Sequence, residues 1–204
     1  MNYIKNHIPL TIGKRPGTKI IPEYLTIHST ANPTSTALNE RNWLLNPAND
    51  RAASWHIAVD EKEAIEAIPL NEMAYHAGTS KGNGTSIGIE ICESGDRQKT
   101  LDNAVNLVAM MLKERGWGID RLKRHYDWSG KICPRILSDN NWRGWADFKN
   151  KVQEELNKMD NMTLDEALTV LKDKLGIDIA YWQRAAGVVK HLEDFIIIIA
   201  KELK

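Results

Sequence analysis

Between Arg124 and Pro134 the chain sets a histidine, His125, and a cysteine, Cys133, eight positions apart, with Gly130 for a turn and Lys131 two residues before the thiol. Pro134 stops any helix from running through the cysteine and pushes Cys133 towards extended geometry. Imidazole and thiolate are both good zinc ligands, but two ligands do not make a site. The run Leu25–Thr30 offers a third: His28 ends a short β-branched stretch, a position from which a strand can aim a ligand into a cleft. A lone strand histidine is commonly packed core or surface, so His28 gains meaning only in company with the other two. Two histidines and one cysteine leave a fourth tetrahedral position open, as hydrolytic zinc chemistry requires.

The 204 residues suffice for one full α/β domain plus a small appendage. Formal net charge is zero, so nothing argues for nucleic acid or for an electrostatic hold on membranes. The apolar run Phe195–Ala200, only six residues, falls far short of the roughly 20 residues of a membrane span. Met1–His7 has no apolar signal core, so the expectation is synthesis in the cytoplasm. In that reducing compartment Cys92 and Cys133 are expected to stay free thiols.

Taken in order, residues 1–23 hold three prolines and two glycines and read as an irregular arm. Tyr24–Thr30 is the first strand, and Ser35 or Thr36 caps a helix carrying Leu38, Trp43 and Leu44. Ser54–Asp60 reads as a second strand, returning through Ala64–Ile68. Its Trp55 and His56 are either packed edge residues or contacts to substrate, with His56 also able to bond near a metal. The segment after Tyr75–His76–Ala77–Gly78, residues 80–85, is glycine-rich and reads as a loop, with His76 on a cleft wall. Ser86–Glu93 is the buried central strand by pattern, and Glu90 is its oddity, a carboxylate amid isoleucines. Such a group should face a cleft or an ion pair; Cys92 reads as a small buried hydrophobe. Leu101–Arg115 and Trp142–Leu156 follow as amphipathic helices.

Thr26–Thr30, Ser54–Asp60 and the His125–Cys133 loop together resemble the zinc-dependent N-acetylmuramoyl-L-alanine amidases shared by phage endolysins, bacterial autolysins and peptidoglycan recognition proteins. Tyr75–Gly78 and Gly88–Glu90 add to the match, which covers about residues 1–158. The resemblance implies an α/β fold, a central mixed β-sheet flanked by helices with a zinc groove. It implies one Zn²⁺ per chain on His28, His125 and Cys133, Glu90 as general base, and Lys131 facing charge on the substrate oxygen. Trp55 departs from the pattern, because many members carry a tyrosine there. Trp55, His56 and His76 stand as candidate substrate contacts. The implied reaction is hydrolysis of the amide between N-acetylmuramic acid and the L-alanine of the stem peptide in bacterial peptidoglycan. A phage-type enzyme would reach the wall after holin-type release. Alternatives are a wall-recognition module without catalysis, a cytosolic muropeptide-recycling amidase, and a purely structural zinc site; retained Cys133 and Glu90 weigh against the first.

Residues 159–162 read as a linker, and 163–204 as a small all-helical module. Thr163–Glu166 is a capping box opening one helix, striped by Leu164, Leu168, Leu171 and Leu175. A second helical stretch runs from about Ile179 to Lys204, including Val188 and Val189, and its run of isoleucines implies burial on several sides. About forty residues seldom fold alone, so this module is expected to bind wall polymer, to pair with another copy, or to cap the catalytic domain.

Overall fold

The computed structural model describes residues 1–160, 163–187 and 192–203. The chain divides into two compact units, Met1–Gln153 and Glu154–Lys204.

The first unit is built on a six-stranded sheet: β1 (Asn2–Lys5), β2 (Tyr24–Ser29), β3 (Ile57–Val59), β4 (Glu63–Glu66), β5 (Ser86–Ile91) and β6 (Leu122–Arg124). Their spatial order is β1-β4-β3-β5-β2-β6. Only β3 and β4 run antiparallel, as a hairpin needs; the other neighbours are parallel. The sheet is therefore mixed, as the resemblance implied. Leu25, Ile27, Ile87, Ile89 and Ile91 are fully buried along one face of β2 and β5. Each such side chain contributes about 1.5–3 kcal/mol of burial. The other face is polar at its centre, carrying Thr26, His28, Ser86 and Glu90.

Helices cover the sheet. α1 (Ala37–Trp43) is capped by Thr36, whose side chain accepts from Asn39 N, and packs on β3 and β4. α2 (Ser80–Thr85) packs on β5. α3 (Arg97–Glu114) starts at Asp96, buries Ala104, Leu107, Val108, Met111 and Leu112, and packs on β3 and β5. α4 (His125–Ser129) packs on β2 and β6. α5 (Asp139–Asp160) carries left-handed backbone at Asn140, Asn141 and Trp142 before its regular turns begin.

Several expectations are corrected here. Asn2–Lys5 is not irregular: it pairs in register with Glu63–Glu66. The expected strand 54–60 begins only at Ile57: Ser54 Oγ donates to the Lys14 carbonyl and accepts from Tyr75 N, while the His56 backbone still bonds to Gly88 and Ala67. Residues 80–85 are helical despite two glycines. Thr79 caps them through Gly82 N, and Asn83 Oδ1 accepts from the His76 and Ala77 amides.

In the second unit α6 (Leu164–Leu175) opens on the expected capping box between Thr163 and Glu166 and ends at a left-handed Gly176. α7 (Ile179–Ala186) and α8 (Leu192–Glu202) follow. Ala167, Leu168, Leu171, Ile196 and Ala200 form its core, with Trp182 packed against them. Leu175 and Ile198 are exposed, against the expected stripe and the expected burial on several sides. The two helices replace one expected stretch, whose Val188 and Val189 lie outside the described residues, as do linker residues 161–162. Among the described residues no helix is long and apolar enough to cross a membrane.

Candidate metal centre

The register of β2 and β6 brings the first two candidate ligands together. Ile27 pairs with Arg124, so the next residues, His28 and His125, leave adjacent strands side by side. Cys133 is returned to them by a closed loop. α4 turns once and ends at Gly130 in left-handed conformation, φ 75°, and Tyr126 N then donates to the Cys133 carbonyl at 3.1 Å. Arg124 anchors the start of this loop through Asp127 and lies 4.3 Å over the Trp142 ring. Arg135 anchors its end, with its backbone N donating to Ser29 Oγ and its guanidinium paired bidentately with buried Glu93.

His28 Nδ1 lies 3.1 Å from His125 Nδ1 and 3.8 Å from Cys133 Sγ. The donor atoms of His28, His125 and Cys133 all fall within 4.8 Å of one another, and all three residues are buried. Burial keeps each of them uncharged. His28 is held well below the usual imidazole range by burial, with His76 and His125 adding to it. His125 is lowered to about 4 by burial and by Lys131, and the Cys133 thiol is pushed up to about 12, chiefly by burial. Two neutral imidazoles and a thiol that can yield its proton are a donor set suited to zinc.

Glu90 stands beside this triad, in register with His28 across β5 and β2. Burial, with Glu40 adding to it and Lys131 opposing, raises its pKa to about 8. Its Oε2 is buried without a hydrogen-bond partner among the described residues. An orphaned carboxylate oxygen next to three metal-type donors is the arrangement expected of a site that takes a cation and a polar reactant.

These groups line a cavity of about 570 Å³ together with Trp55, Tyr75, His76, Lys131 and Ile132. Lys131 is exposed at its mouth. Trp55 packs against two apolar clusters, and its indole Nε1 is buried without a partner among the described residues. His76 reaches the cavity but is buried, bonded to His28 and to the Ser86 carbonyl. His56 does not line the cavity. Its Nε2 faces the Glu72 carbonyl at 2.8 Å and its Nδ1 accepts from Gly88 N at 2.9 Å, so neither nitrogen is free for substrate. These bonds favour the packed reading of His56, whose ring holds the Gly88 amide of β5 and meets the His76 ring edge-on. Cys92 is a fully buried free thiol, as expected.

Sequence reasoning passed over Glu40, which is buried on the apolar side of α1 and lines the cavity. Its signal was the spacing Ala37, Glu40, Leu44, a carboxylate on a helix's inward stripe. Arg51 and Arg135, also on the cavity wall, carried no signal beyond their charge.

Comparison with known proteins fits this geometry. The family profile described as N-acetylmuramoyl-L-alanine amidase matches residues 16–136. N-acetylmuramoyl-L-alanine amidase CwlA of Bacillus subtilis (strain 168) is 45% identical over 160 residues, covering 74% of this chain and 57% of that protein. N-acetylmuramoyl-L-alanine amidase XlyA of the same organism is 35% identical over 189 residues, covering 90% of this chain and 62% of that one. The chain thus spans somewhat over half the length of these relatives. Among solved structures, the catalytic domain of XlyA superposes with a TM-score of 0.68 at 39% identity, over 74% of this chain and 99% of that one. PlyL superposes with a TM-score of 0.65 at 35% identity, over 74% and 97%.

Proposed function

The chain belongs to the N-acetylmuramoyl-L-alanine amidase family, and on that premise we propose that it hydrolyses the amide between the N-acetylmuramic acid lactyl group and L-alanine in bacterial peptidoglycan. The observation that carries this reading is the convergence of His28, His125 and Cys133 donor atoms within 4.8 Å, beside a carboxylate with a free oxygen.

In this reading His28, His125 and Cys133 hold one zinc ion. Zinc supplies Lewis acidity towards water and the scissile carbonyl. Glu90 Oε2, facing no other hydrogen-bond partner, takes a proton from the attacking water and returns it to the leaving amine. The raised pKa of Glu90 belongs to the metal-free protein; a nearby dication draws such a carboxyl back towards its ionised form. The Lys131 ammonium makes no hydrogen bond or ion pair among the described residues and faces the oxyanion as it develops. Trp55 offers its buried indole N–H to a substrate acceptor.

The test is digestion of purified, teichoic-acid-stripped cell wall, with and without chelator and zinc rescue, with products read by mass. Stem peptides bearing an L-alanine amino terminus beside intact glycan, lost on chelation and restored by zinc, are expected. Reducing sugar ends would identify a glycosidase. Binding without products would identify a recognition module, and turnover of soluble muropeptides alone a recycling enzyme.

A further inference from the structure

His76 is a buried cavity residue to which the mechanism assigns no part, and its bonds determine something about His28. A neutral imidazole carries one N–H, and a nitrogen can ligate a metal only if it is the other one. The Ser86 carbonyl lies 3.1 Å from His76 Nε2 and can only accept, so His76 carries its proton on Nε2. His76 Nδ1 is then an acceptor, and the atom facing it at 3.0 Å is His28 Nε2, which must donate. With its proton on Nε2, His28 presents a bare lone pair at Nδ1. That is the nitrogen that faces His125 Nδ1 and Cys133 Sγ.

The His76 ring is held in place to do this. The His56 ring meets it edge-on with centroids 5.6 Å apart, and the His76 amide donates to Asn83 Oδ1. Gly88 leaves the space the ring fills: a Cβ there would stand 2.6 Å from His76 Cγ. Both His76 nitrogens are occupied, so it is not itself a fourth ligand.

We propose that His76 is a positioning residue: the relay from the Ser86 carbonyl through His76 locks His28 in the tautomer whose Nδ1 is free to bind metal. This rests on the reading of His28, His125 and Cys133 as a zinc site, and outer partners of ligating histidines act in this way.

Long-range proton–nitrogen spectra of the full chain, labelled with ¹⁵N-histidine and stripped of metal, read the tautomer directly. His28 and His76 are both expected as the Nε2–H form; an Nδ1–H form of His28 overturns the proposal whatever zinc does. Zinc affinity, measured by competition with a chromophoric chelator, is the second readout. His76→Phe fills the ring's space without nitrogens and should weaken zinc about 10–100-fold. His76→Asn, whose Oδ1 can replace Nδ1 as acceptor, should recover most of that loss. His76→Phe binding zinc as tightly as the parent chain, with His28 unchanged in tautomer, would overturn the proposal while leaving the zinc site standing. A parent chain that binds no more zinc than His28→Ala would instead remove the zinc reading, and the positioning role with it. If His76→Phe fails to fold, the tautomer spectrum of the parent chain decides.

Discussion

His28 and Glu90 are register partners on the neighbouring parallel strands β2 and β5, so their side chains leave the sheet on the same face. One strand pair therefore supplies both a metal-type donor and the acid beside it, and the rigidity of the ladder sets the distance between them. The third and fourth groups, His125 and Cys133, come from the start of α4, directly after the strand on the other side of β2, and from the loop that follows it. The arrangement rests on three strands and one closed loop, with a cavity over it.

Glu90→Gln separates the two roles a lone buried carboxylate can have. It keeps the shape and removes the base, so turnover should fall by about 10²–10⁴-fold. Zinc content should be unchanged and the melting temperature equal or higher, because a desolvated acid is replaced by a neutral amide. Release of new amino groups from cell wall, with thermal unfolding of the same preparation, checks both. Retained turnover would return Glu90 to a structural role.

Arg135 tests the brace behind the cysteine. Glu93 is almost wholly buried and accepts from Arg135 and from Ala31 N. Arg135→Ala strips the guanidinium from a carboxylate that cannot reach water, which should cost about 2–3 kcal/mol in urea denaturation. Adding Glu93→Gln should recover part of that loss, since the buried charge, left with only Arg97 at 3.9 Å and the Ala31 amide, is then absent. Equal losses in the single and double variants would mean that the pair contributes little.

What was legible in the sequence follows from how local its cause is. His125 and Cys133 stood out because a glycine turn and a proline bound the loop between them, and Glu90 because it interrupts a run of isoleucines. The cap of α1 at Thr36 and the capping box of α6 are likewise written in a few adjacent residues. Ser54 reads as strand because alternation places it there, whereas its hydroxyl is tied to Lys14 and Tyr75, distant in sequence. β1 escaped notice because four residues become a strand only by pairing with Glu63–Glu66, about sixty positions away. The helicity of 80–85 depends on Thr79 and Asn83 acting against two glycines. The relay through His76 depends on a backbone carbonyl, which no side-chain pattern reveals.

Acid should unfold the metal-free protein in part through His56. This residue is fully buried, and burial lowers its pKa from the usual 6.5 to about 4. The unfolded chain binds the extra proton between those values, so the stabilisation is complete above pH 6.5 and is lost as pH falls through about 4. The shift corresponds to about 3 kcal/mol over that window. His56→Asn, which keeps an acceptor for Gly88 N, should lower stability at neutral pH and flatten its slope between pH 4 and 6.5. Denaturation midpoints at several pH values decide; parallel curves for the two proteins would exclude His56 as a contributor.

Gly88→Ala adds one methyl group where the structure has no room. The new Cβ would lie 2.6 Å from His76 Cγ and 2.8 Å from its Nδ1, and the strand backbone on which it sits is fixed by β2 and β3 on either side. The imidazole must therefore move. Its displacement strains the Nε2 bond to Ser86 and the Nδ1 contact with His28 together. Overpacking of this kind costs about 1–3 kcal/mol. The melting temperature should fall, and zinc affinity with it. His76→Ala in the same chain removes the clash, so the double variant should regain stability over Gly88→Ala without regaining affinity for zinc. Stability and affinity recovering in step would mean that Gly88 acts through the fold alone. Recovery of the first without the second is the outcome expected if the space over Gly88 exists to seat the ring that orients His28.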